Sequence, residues 1–491
     1  MLAPLKADHW NFNTAAHLLN RAGFGGTPRQ IEELVALGPE KTVARFVDYE
    51  KTPDDTAVPE WAKPDPDRAE RLRAARDASP EERQRLLREA QRTQREHLTD
   101  LRGWWLRRMA EGPRPLQEKM TLFWHGHFAT SIEKVRDAYL MWRQNETFRQ
   151  LATGNWLEML TEVGQDPAML IYLDQAQSRR GQPNENFARE VMELFALGEG
   201  HYTELDITEA ARALTGWSLG NSRQDYQWRP FAHDPGEKTI FGKTGRYDGE
   251  DVLKLIVAKT QAARFITSKL WNYFAGVMPS DAMTDALADL FRKEGNNFKP
   301  VLSTIFLSEE FYAPKLIRAQ VKSPVQWLVG TCRQLDLPLP PPMVSWGITR
   351  SLGQDLFAPP NVKGWDGGLT WITTNNLLAR YNIAAALVQG DVSALRGLVQ
   401  LPNPNASMVV ENRLRNLRLA TVDVKELFTA EELKSKMALI AALEKRLLQT
   451  KLKGKQEQAL RDYLDSQGEL DDDDVRGAIR LVMSTPEYQL T

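Results

Sequence analysis

The chain is poor in cysteine: Cys332 stands alone among 491 residues. A lone cysteine excludes an intramolecular disulfide and any zinc site built on several thiolates. Long apolar runs are missing too. No stretch approaches the ~20 apolar residues that cross a bilayer, so no membrane span is expected. Neither sign of charge dominates, with 63 Lys and Arg against 65 Asp and Glu, and no nucleic-acid partner is expected. The first residues hold no apolar core of signal-peptide length and no twin Arg, which predicts a cytoplasmic location. Also absent are a Gly-rich phosphate loop, a Gly-x-Ser-x-Gly elbow, a His-Glu-x-x-His pair and a dinucleotide fingerprint. The common sequence signatures of nucleotide binding, serine hydrolysis and zinc proteolysis are therefore missing.

What is present is an ordinary globular composition, 42% hydrophobic and 26% charged, with 14 Trp. So many Trp suit packing between helices, or an aromatic or carbohydrate ligand, and packing is the commoner use. Periodicity predicts a mainly α, multi-helical globular array with a long irregular insertion and a short β-hairpin near 226–247. The expected organisation is an N-terminal helical segment (1–51), a Pro- and Asp-rich linker (52–80) and a helical core (81–336). An irregular loop region (337–376) and a C-terminal helical region (377–491) follow. The loop region opens with Leu337-Pro338-Leu339-Pro340-Pro341-Pro342, a run that no helix can cross.

The strongest chemical signal is Asn184-Glu185-Asn186-Phe187-Ala188-Arg189-Glu190-Val191-Met192-Glu193. At about 100° per residue, Phe187, Val191 and Leu194 form an apolar stripe, and Asn186, Glu190 and Glu193 a polar one edged by Arg189. Such a stripe is either a buried hydrogen-bond network or half of an active site. A second signal is Trp124-His125-Gly126-His127-Phe128. In an unbroken helix the two histidines lie roughly 200° apart, but a kink at Gly126 would let both imidazoles converge on a metal. Asp174, at the end of an apolar helix, reads as a cap or a ligand. His233-Asp234, in an irregular loop, reads as a site pair or a capped turn. The Pro- and Gly-rich stretch 353–365 could line a pocket with Gln354, Asn361, Lys363 and Trp365.

Taken in order, these motifs resemble a bacterial family known as domain of unknown function 1800. The resemblance rests on His17-Leu18-Leu19-Asn20-Arg21-Ala22-Gly23-Phe24-Gly25, the His125-Gly126-His127 segment, Tyr172-Leu173-Asp174, and Asn184 to Glu190. It continues through Ala213-Leu214-Thr215-Gly216-Trp217, His233-Asp234, Lys322-Ser323-Pro324 and Pro359-Pro360-Asn361-Val362-Lys363-Gly364-Trp365. It carries no established activity. It implies frequent export, and a neighbouring sulfatase-like partner of domain of unknown function 1501. This chain lacks the signal peptide of exported members, so export in complex with such a partner is one expectation. The functional expectation from the residues is an enzyme, a hydrolase or oxidoreductase, with a divalent metal held by His125, His127, Glu190 and Glu193. Asn186, Arg189, Asp174, His233 and Asp234 would complete its catalytic ring. The alternative is a non-catalytic helical partner or maturation factor.

Overall fold

Helices open where the sequence offers caps. In a computed structural model, which describes residues 2–391, 395 and 418–491, Asn11 and Thr14 form a capping box on the Phe12–Arg21 helix. Thr27 and Gln30 do the same for Pro28–Leu37, with Pro28 at its first position. Each box satisfies backbone N–H groups that a helix start leaves unpaired. Ser79 caps the 32-residue Pro80–Glu111 helix. Its first half is solvated, and its last turns bury Leu98, Leu101, Trp105 and Met109, as the thickening of apolar residues predicts.

The chain is mainly α, with two short antiparallel ladders: β1 (Trp217–Leu219) pairs with β2 (Tyr226–Trp228), and β3 (Lys238–Ile240) with β4 (Lys243–Gly245). No helix among the described residues is long and apolar enough to cross a membrane. The Pro115–His127 helix is buried nearly all round, the pattern of a central helix. Leu116, Met120, Phe123 and Trp124 join a core that runs from Leu5 to Leu316. Leu122 joins a second core with Trp105, Met141, Val325 and Phe357. A third, from Trp327 to Tyr488, holds the C-terminal helices.

The structure departs from the periodicity reading in particular places. A solvated helix, Arg68–Asp77, lies inside the stretch read as a linker. That stretch is tied down before the helix begins: Ala57 O accepts from Trp104 Nε1 at 2.8 Å, and Trp61 Nε1 donates to Asp100 at 2.7 Å. The irregular region contains the Pro342–Ser351 helix. The proline run ends at its first position, where no intrahelical N–H bond is lost. The expected hairpin near 226–247 is two ladders, the first of which reaches back to Trp217. Parts of the expected C-terminal helices, 392–394 and 396–417, lie outside the described residues.

Candidate functional site

Lys119, Phe123 and His127 are spaced by four on the Pro115–His127 helix and so share one face. That face looks across a cleft at the Thr260–Ala275 helix, which contributes Phe265, Lys269, Asn272 and Tyr273. The loop after Pro342–Ser351 supplies the third wall with Lys363, Trp365, Asp366 and Trp371. Two cavities, about 570 and 270 Å³, meet here and share His127, Lys269 and Lys363. Gly364 fits the loop to the helix. Its φ is +83°, and a Cβ there would lie 2.3 Å from the Gly126 carbonyl oxygen, so only glycine allows this approach.

Gly126 does not end or kink the helix, which runs on to His127. The two histidines therefore face different ways. His125 Nε2 accepts the Phe357 N–H at 3.0 Å, and its ring packs on Trp105, Phe357 and Trp365. Burial pushes its pKa down to about 3, so it is a neutral core group. His127 lines both cavities. Its Nε2 bonds the Phe195 carbonyl at 2.9 Å, while Nδ1 has no partner. Burial, and then the Lys269 charge, hold it neutral well below the usual histidine range. With Nε2–H donating to the carbonyl, Nδ1 offers a lone pair.

The polar stripe divides in the same way. The helix is α over Glu185–Glu190 and then widens to a π-helical segment, Val191–Leu197. The Gly198 N–H bonds the Glu193 carbonyl five residues back at 3.1 Å. A π turn of this kind re-aims side chains and often marks a functional site. It brings Glu193 into the smaller cavity with His127 and Lys269, where the Tyr202 hydroxyl donates to its carboxylate. Glu190, half-buried beside it, has its pKa raised by burial and by the Glu193 charge.

The remaining expected site residues lie elsewhere. Arg189 turns outward in a two-pronged pair with Glu204, at 2.9 and 2.7 Å, and Asn186 is exposed. Asp174 pairs with Lys134 at 2.7 Å on the surface. His233 Nδ1 bonds the Thr215 carbonyl at 3.0 Å. Asp234 is braced by Arg212 and the Gly236 N–H, and the Arg212 bond above all pushes its pKa down to about 2. That pair is a capped turn and lines neither cavity.

The residues expected to hold a divalent metal do not form a ligand set. Among the described residues no group of three or more His, Cys, Asp or Glu is placed to hold a metal ion, and His125 has already given its Nε2 lone pair to Phe357. The buried Arg–Glu network belongs to another residue, Glu118, which accepts from Trp105, Arg108 and Arg149.

Lys119 and Lys269 escaped the sequence reading, since a single Lys in an apolar helix reads as a solvated position. The signal was there in the spacing of Lys119 with Phe123 and His127. Lys119 is only 4% exposed, with its ammonium 4.8 Å from the Phe24 ring centre. Burial and the nearby Arg21 charge lower its pKa to about 7. Lys269 lies 4.9 Å from the Phe265 ring centre, and burial lowers it to about 8. Among the described residues no carboxylate charge offsets the burial of Lys119 or Lys269, whereas the Lys363 charge acts on Glu190. Of the loop residues expected at a pocket, Gln354, Lys363 and Trp365 line the larger cavity. Asn361 instead turns the loop by accepting the Lys363 N–H at 2.8 Å.

No curated protein and no solved structure matches the chain. Its sequence does fit a family pattern over residues 17–490, nearly end to end. The chain thus belongs to the family described as protein of unknown function, DUF1800.

Proposed function

We propose that the chain is an enzyme acting on a small organic ligand held where the two cavities meet, with Lys269, Glu193 and His127 around the reacting atoms. The observation that carries this reading is a desolvated lysine with no carboxylate partner, beside a histidine nitrogen with no partner, in one cavity. A protein built only for stability pairs or hydrates such groups. An amine lowered to about 8 has an appreciable free fraction near neutral pH, far more than a solvated lysine, and can serve as a general base or nucleophile. Glu193, held by the Tyr202 hydroxyl, lines the same cavity as a second acid–base group, and His127 Nδ1 accepts a hydrogen bond from the ligand. This reading keeps the histidine–glutamate pairing of His127 and Glu193 and leaves out the metal, because the donors do not converge.

A panel of small metabolites screened by thermal shift, with the parent protein and Lys269→Met and Glu193→Gln variants, tests it. A true ligand at 100 times its Kd stabilises by ~2.7 kcal/mol. The expected result is at least one compound that stabilises the parent and neither folded variant. Stabilisation that is indifferent to both substitutions counts against the site.

A second reading, a partner for a sulfatase-like protein, draws on a different feature. Leu369, Leu377, Leu378 and Tyr381 are exposed near one another along the chain at the start of the Thr374–Gln389 helix. Exposed apolar strips are common at docking faces. Co-purification with a sulfatase-like protein, abolished by Leu378→Asp and retained by Lys269→Met, would favour it.

A further inference from the structure

The larger cavity has an end that the chemistry at Lys269 does not use. There Lys119 projects from the middle of its helix, flanked by Tyr273, whose hydroxyl donates to the Lys119 carbonyl at 3.2 Å. Gln320 and Ser323, from the segment leading into the Pro324–Gln334 helix, and Gln326, from its first turn, also line this cavity. Behind it stands Arg21, 1% exposed. Its guanidinium donates to the Phe274 carbonyl at 3.0 Å, the Leu316 carbonyl at 2.8 Å and Gln320 Oε1 at 2.6 Å. Each of those acceptors is neutral.

Two cations are thus buried together with no carboxylate beside them. The one acid lining the larger cavity, Asp366, sits exposed on the loop wall. Desolvating a charge costs several kcal/mol unless an opposite charge answers it. Here the protein supplies none, and the cavity gives Lys119 room for one that arrives from outside.

We propose that the Lys119 end of the larger cavity is an anion subsite, which takes a carboxylate or phosphate group of the ligand while the rest of that ligand reaches toward Lys269. This extends the enzyme reading by naming what the ligand carries. Anion binding is measured without turnover, so the subsite stands or falls separately from the chemistry. Phe123, Tyr273, Trp365 and Trp371 also line this cavity, and an aromatic lining suits an organic body that joins the anionic group to the reacting atoms.

The pH dependence follows from the surroundings. The charged or titratable groups around Lys119 are Arg21, Tyr273, Lys269, Lys363, Asp366 and His127. Arg21, Lys269 and Lys363 are cations, and His127 is neutral. An arriving anion favours the protonated amine, so binding takes up a proton near pH 7 and weakens as pH rises through that region.

Isothermal titration of the full chain with inorganic phosphate, and separately with malonate, at constant ionic strength in two buffers of different ionisation enthalpy, tests the subsite. The expected result is binding with proton uptake at pH 7.5, weaker by fivefold or more at pH 9. Lys119→Met should bind at least tenfold more weakly, while Lys254→Ala, at an exposed lysine paired with Asp251 and outside both cavities, changes little. The tighter of the two anions identifies the headgroup. A folded Lys119→Met that binds as the parent does would overturn the proposal. So would an unmutated protein that takes up no proton on binding, or that binds neither anion at 20-fold excess over a typical millimolar Kd. If Lys119→Met does not fold, the proton uptake of the unmutated protein decides alone.

Discussion

At the residue scale, Glu118 and Asp166 show how differently the interior treats two carboxylates. Glu118 is buried, and burial alone would raise its pKa, yet Arg149 and Arg108 hold it below the usual range. Removing that charge leaves two guanidinium groups without their shared partner. Glu118→Ala should therefore cost about 3–5 kcal/mol, read from the shift of the urea midpoint. Asp166 caps the Pro167–Tyr172 helix and accepts from Gln144 at 2.8 Å and the Met169 N–H at 3.0 Å. No cation pairs with it, and burial raises its pKa from 3.8 to about 7. Its folded form holds the proton more tightly than the unfolded chain does. That contribution to stability is complete below 3.8 and is lost as pH climbs toward about 7. Unfolding free energies measured from pH 4 to 8 should therefore fall more steeply for the parent than for Asp166→Asn. Neither role was legible in the sequence. Glu118 sits among Gln117 and Lys119, and nothing in that string says which side chain meets Arg149, 31 residues away.

At the element scale, legibility followed local chemistry. The Thr27–Pro28 start, the thickening of the long charged helix and the ladder region were readable because caps, periodicity and turn residues act over a few positions. The π-helical widening at Val191 was not readable, because straight α periodicity assumes four-residue bonding throughout. That widening moves Glu193 away from the Arg189 side and into the cavity. Nor did the sequence show that Gly126 is passed through unbent. Its own Cβ position is open, and the requirement belongs to Gly364, which meets it across space. Gly364→Ala should thus displace the loop that carries Lys363 and Trp365. The expected outcome is a loss of roughly 1–3 kcal/mol with faster proteolytic cleavage in 359–371. Gly368→Ala, with open space around its Cβ and a φ of +58°, should cost less.

At the scale of the whole molecule, the helical class was legible and the site only in part. Sequence spacing named His127 and Glu193 together, and the fold brings them to one cavity from helices about 65 residues apart in the chain. His125, chosen by the same argument, turned to the other side because the helix kept its twist. The lysines that give the cleft its character were hidden, since a buried unpaired cation is defined by what surrounds it. The Thr260–Ala275 and Pro115–His127 helices and the 363–371 loop meet at Lys269, and burial there is what lowers its pKa. Site-resolved acylation of the native protein, followed by mass spectrometry from pH 6 to 11, measures that directly. Lys269 should react with a midpoint near 8, against about 10.4 for solvated lysines, and outpace surface lysines such as Lys254 at neutral pH. A Lys269 midpoint at or above that of Lys254 would contradict the central claim that the cleft lowers Lys269 far enough for its free amine to act near neutral pH.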